Sequence, residues 1–120
     1  MPNEQGFVPG DFLVFQVESG FGLLRVLGVE DSAAPTWHVA IYRDLFQEID
    51  YAELSIASPE SLTVEVPHIA LTNRAFESTQ VSRLGHQPLT QEETEAFEKW
   101  KRDQESEISD RSIRLTLGLR

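Results

Sequence analysis

Two tyrosines and four carboxylates fall within one short stretch of the chain: Tyr42, Asp44, Glu48, Asp50, Tyr51 and Glu53. Groups of these types can exchange protons, hold a hard cation through oxygen, or present an acidic, aromatic surface to a basic protein. On a helix, Asp44 and Glu48 would share a face at i,i+4 spacing. The alternating oxygen ligands and central glycine of an EF-hand loop are missing, which excludes that kind of calcium site. Residues 44–65 carry six acidic side chains and no basic one. We therefore read these six residues as a protein-binding patch. The alternative is a small enzyme or ligand-binding barrel that uses the carboxylates and tyrosines near 42–53.

The other chemistry-bearing residues are dispersed. His38, His68 and His86 lie 30 and 18 residues apart, a spacing that matches no local metal motif. His38 reads as a partly exposed strand residue beside Trp37, His68 as an outward residue after Pro67, and His86 as part of a turn. No serine sits in a G-x-S-x-G elbow. Gly20-Phe21-Gly22 is followed by the strand-like Leu23-Leu24-Arg25, not by a helix N-terminus, so its amides are not set to cradle phosphate. With no cysteine, the chain has no disulfide, thiolate nucleophile or thiolate-held metal. No catalytic residue, metal ligand or cofactor is assigned.

The elements that must position these residues are mostly strands. Val8 to Glu30 reads as an opening turn at Pro9-Gly10, a strand rich in β-formers, a turn at Glu18-Ser19-Gly20, and a longer strand apolar on both faces. A third strand spans Thr36 to Arg43. Residues 44–58 fit either a short helix or an irregular connection. A fourth strand, Ser61 to Leu71, is interrupted by Pro67, which cannot donate to a ladder and so marks an edge or a bulge. Residues 72–88 read as a polar connection ending in a turn at Leu84-Gly85-His86-Gln87-Pro88.

A helix is predicted over about 90–104, because Thr90 and Glu93 form a capping box ahead of Ala96, Phe97 and Trp100. The chain closes on Ile113, Leu115, Leu117 and Leu119, which alternate with Arg114, Thr116 and Gly118, the pattern of a fifth strand at about 112–119. The fold class is α+β, mainly β: one globular domain over 1–120, a small five-stranded, partly open barrel with one helix in its C-terminal half.

Charge and hydropathy narrow the function classes. Twenty acidic against ten basic residues give a net charge of −10, a field that repels phosphate backbones and anionic lipid. Nucleic acid and membrane are therefore not expected partners, whereas a basic protein is. No apolar run approaches membrane-spanning length, and the N-terminus has no signal-peptide pattern. These features are those of a cytoplasmic protein. Nothing in the sequence fixes the oligomeric state.

The opening VPGDFLVFQVESGFGLLRVLG is similar to the start of bacterial SH3-like barrel domains, in which a Gly-Asp pair leads the first strand. Immunity proteins of polymorphic toxin systems are among these, and their pattern resembles Gly10-Asp11 through Arg25-Val26-Leu27-Gly28. The resemblance implies an SH3-like barrel and a non-enzymatic inhibitor of a basic toxin. It covers residues 8–30 and stops well short of the capped helix.

Overall fold

The computed structural model describes residues 6–30, 33–103 and 107–118. Its centre is one antiparallel sheet of five strands: β1 (Asp11–Val17), β2 (Gly20–Glu30), β3 (Thr36–Phe46), β4 (Val64–Thr72) and β5 (Val81–His86). Their spatial order is β4-β3-β2-β1-β5. Among the described residues four helices accompany it: α1 (Ile49–Ser55), α2 (Asn73–Glu77), α3 (Gln91–Arg102) and α4 (Ile113–Thr116), with a 3₁₀ turn at Pro59–Ser61. The protein is therefore α+β, mainly β.

The sheet is open, with β4 and β5 as its edges, and does not close into a barrel. The two-sided apolarity of β2 has a different cause from the one a barrel would supply. Helices lie against both faces of the sheet, so both sets of side chains are buried. One face carries Leu13, Phe15, Leu24, Val26, Trp37, Val39 and Ile41 under Phe7, Ala75, Phe76 and Ile113. The other carries Phe12, Val14, Leu23 and Tyr42 against Ala52 of α1 and Ile56 just beyond it.

The strand expected at about 112–119 is instead the helix α4 over its described part; Leu119 lies outside the described residues. The reason lies in the spacing. Ile113 and Leu117 are two strand periods apart, but they are also i,i+4 on a helix. Ser112 caps the helix by accepting a hydrogen bond from the Leu115 amide at 3.2 Å. Ile113 is then fully buried and Leu117 packs on the same cluster, while Leu115 stays 62% exposed.

The fifth strand comes from the segment read as a polar connection. β5 pairs with β1, with Asp11 opposite His86 and Phe15 opposite Val81. Its residues alternate too weakly to announce a strand, and the open edge of β1 recruits them. β4 runs through Pro67 as an edge strand, and its register against β3 shifts there, as the missing amide requires.

Helix α3 matches its sequence signature. Thr90 Oγ1 accepts from the Glu93 amide at 3.2 Å and Glu93 Oε1 accepts from the Thr90 amide at 2.8 Å, both halves of the capping box. The helix ends at Arg102, and Gln104 lies outside the described residues. Two glycines set the approach of neighbouring elements. Gly10 has φ +98°, and a Cβ there would lie 2.6 Å from the Gln87 carbonyl oxygen. A Cβ on Gly28 would lie 2.6 Å from the Phe97 ring, so the bare backbone at Gly28 is what lets α3 dock.

Candidate functional site

The six residues of the acidic, aromatic stretch separate into three environments. Tyr42, near the end of β3, turns into the sheet face beneath α1 and α3, is 4% exposed, and packs its ring parallel to Phe12 at 6.2 Å. Burial pushes its phenol up to about 12, with Arg25 pulling the other way, so the hydroxyl stays protonated. Asp44 leaves the strand edge and accepts the Thr63 amide at 2.6 Å, which ties β3 to the start of β4. Glu48, Asp50, Tyr51 and Glu53 are exposed on and beside α1.

α1 exists because Ala52 and Ile56, at i,i+4, reach the buried cluster around Phe12 and Leu23. Its remaining face points to solvent and is not purely polar. Tyr51 is 56% exposed and Leu54 71%, with Leu45 and Ile49 also exposed. Tyr51 and Leu54 share a helix face at i,i+3, and Asp50 and Glu53 flank them. The result is an exposed apolar, aromatic pair with carboxylates beside it.

The carboxylates do not converge into a catalytic pair. Of the six residues, Tyr42 lines the two recesses beneath α3, and the other five lie outside them. Among the described residues no cluster of His, Asp and Glu is arranged to hold a metal ion.

Three buried polar constellations were not foreseen from the sequence. Arg25, in the middle of β2, is 2% exposed. Its Nε lies 3.1 Å from Glu93 Oε2, and its Nη2 donates to the carbonyls of Gln87 and Pro88 at 3.1 and 2.9 Å. Nη1 is buried without a hydrogen-bond partner, and the guanidinium carbon sits 4.2 Å from the Phe12 ring centroid. An arginine inside the apolar run Leu23-Leu24-Arg25-Val26-Leu27 is the one signal that marked this site, since such runs rarely bury an unpaired charge.

Asp11 is the second. It is 1% exposed and accepts from the Val8 amide at 2.9 Å, Arg83 Nε at 2.8 Å and His86 Nδ1 at 2.8 Å. Burial pushes its carboxyl up, but these hydrogen bonds outweigh burial and hold it below the usual aspartate value. Arg83 also donates to the Gly6 carbonyl, so this cluster fastens residues 6–11 to β5.

His38 and His68 form the third. His38 is fully buried, contrary to its reading as a partly exposed residue. Its Nε2 lies 2.8 Å from Glu30 Oε1 and its Nδ1 lies 2.9 Å from His68 Nε2. With Glu30 ionised, the network fixes the tautomers: His38 donates from Nε2 to the carboxylate, and His68 donates from Nε2 to His38 Nδ1. Phe97 and Trp100 of α3 cover His38 at ring-centroid distances of 4.4 and 4.6 Å. Burial lowers the pKa of both histidines, that of His68 to about 4. No sequence spacing signals this pair, because the pairing of β3 with β4 creates it.

Two recesses lie between the N-terminal half of α3, the outer strands and the 3₁₀ turn. One, of about 340 Å³, is lined by Arg25, Tyr42, Glu60, Leu62, Pro88, Glu92 and Glu93 among others. The other, of about 310 Å³, is lined by Ala40, Tyr42, Val64, Pro67, Glu92, Glu93 and Ala96. The two share Tyr42, Val64, Glu92 and Glu93. No helix among the described residues is long and apolar enough to cross a membrane. Comparison with protein-family models, curated proteins and solved structures finds no match to this chain in any of the three.

Proposed function

We propose that the protein is a non-enzymatic binding module that takes a basic partner on the surface formed by α1 and its flanks. The observation that carries this reading is the exposed pair Tyr51 and Leu54 with Glu48, Asp50 and Glu53 exposed on and beside the same helix, on a chain of net charge −10. Large exposed side chains at the centre of a charged rim are the usual anatomy of a protein-binding patch. The rim supplies electrostatic steering and the centre supplies the buried contact. An immunity-type inhibitor of a basic toxin, on an SH3-like scaffold, is the specific form suggested by residues 8–30.

A titration of the isotope-labelled protein with a short amphipathic Lys/Leu peptide tests this reading by amide chemical shifts. The expected shifts fall on residues 45–54 and shrink as the Debye length contracts from about 30 Å in dilute buffer to about 8 Å at physiological ionic strength. A Y51A/L54A variant, which removes exposed side chains only, loses the shifts. Shifts that ignore salt, or that fall on the opposite face of the sheet, overturn the proposal.

A further inference from the structure

The recesses beneath α3 are separate from the α1 surface, and they are built differently. Tyr42, more than nine-tenths buried, lines both, and its hydroxyl has no hydrogen-bond partner among the described residues. Val64, Pro67 and Ala96 give an apolar wall. The charged groups are Arg25 and three carboxylates, Glu60, Glu92 and Glu93. Arg25 is paired with Glu93, which also caps α3, and its Nη1 alone is left without a partner. Glu60 and Glu92 remain, exposed at the rim, with no ion pair among the described residues.

We propose that this site seats one cationic side chain, arginine or lysine, from the basic partner. The proposal rests on the binding-module reading and adds a specificity pocket to it. The methylenes of such a side chain match the Val64, Pro67 and Ala96 wall, while its charged end meets Glu92 or Glu60. The Tyr42 hydroxyl accepts one of its hydrogens. An anion entering the same space faces two carboxylates without an ion pair, while the charge of Arg25 is already balanced by Glu93. Recesses of about 310 and 340 Å³ fall in the range of small-ligand pockets.

The test uses a blocked Gly-Arg-Gly peptide, its Lys counterpart and the isosteric citrulline peptide, which keeps the shape of arginine without the charge. The Arg and Lys peptides are expected to shift the amides of Tyr42, Val64, Glu92 and Ala96 in a saturable way, and the citrulline peptide to bind at least about tenfold more weakly. An E60Q/E92Q variant, altered only at exposed positions, loses about tenfold for the charged peptides, and Y42F weakens them less. Y51A/L54A leaves this binding unchanged, which separates failure of the pocket from failure of the α1 surface. Equal binding of the citrulline peptide, undiminished binding by E60Q/E92Q, or no saturable shift in the unaltered protein overturns the proposal.

Discussion

The two faces of the sheet are both buried, yet they are built from different materials. Under α2 and α4 the contacts are almost wholly hydrocarbon and aromatic: Trp37 stacks on Phe76 at 4.0 Å, with Phe7 edge-on to both. The Trp37 indole N–H there donates to Asn73 Oδ1 at 2.9 Å. Under α1 and α3 the buried set includes Arg25, His38 and Tyr42, each with a polar end to place. Apolar burial stabilises in proportion to area and without direction. Buried charges and imidazoles are costly to desolvate and give little net stability, but they fix geometry. The first face holds the fold together, and the second sets the position of α3 and the shape of the recesses below it.

That contrast can be broken in three ways. The largest effect belongs to W37A, which empties a fully buried, stacked position on the apolar face; urea unfolding should show a loss of about 4 kcal/mol. A loss below about 1 kcal/mol would mean that the apolar face is not what holds the fold.

Acid should act on the other face. The unfolded chain takes up protons at the ordinary histidine pKa near 6.5, but folded His68 does so only near 4. Between these values the unfolded state binds more protons, so stability is complete above about pH 6.5 and falls as the pH drops toward 4. The fall from this pair is on the order of 2 kcal/mol, discounted for the partial exposure of His68. Asp11, whose pKa is also lowered, acts only below about 3.8, outside that window. An H68Q variant should flatten the curve between pH 6.5 and 4; an unchanged slope would remove the histidine pair as its source.

The smallest effect should come from R25M. Replacing Arg25 alone leaves Glu93 without its cation and the Gln87 and Pro88 carbonyls without their donor. The partly exposed carboxylate keeps the Thr90 amide and water, so the expected loss is about 1 kcal/mol. A loss above about 3 kcal/mol would make Arg25 as structural as Trp37 and erase the difference between the faces.

Parts of this arrangement were legible because they depend on neighbours in the chain. The β1–β2 hairpin follows from turn residues and β-formers, and α3 follows from Thr90 and Glu93, whose hydrogen bonds span three residues. The edge character of β4 follows from Pro67. The terminal segment was misread because Ile113 and Leu117 satisfy two periodicities at once, and only packing chooses between them. β5 was missed because its pairing energy resides in the open edge of β1, about seventy residues earlier in sequence. Of the expected binding residues, Glu48, Asp50, Tyr51 and Glu53 form one surface, Asp44 ties two strands together, and Tyr42 belongs to the recess.

The sequence alone determined a mainly β chain, strongly acidic, with a capped helix and a cluster of carboxylates beside tyrosines. Those properties are local or additive, so they survive without knowledge of what lies next to what. Only the tertiary structure brought His38 to His68, Arg25 to Glu93 and Asp11 to Arg83, and left Tyr42 facing a recess. The three pairs join residues at least 30 positions apart, where strand register and helix docking decide the contact.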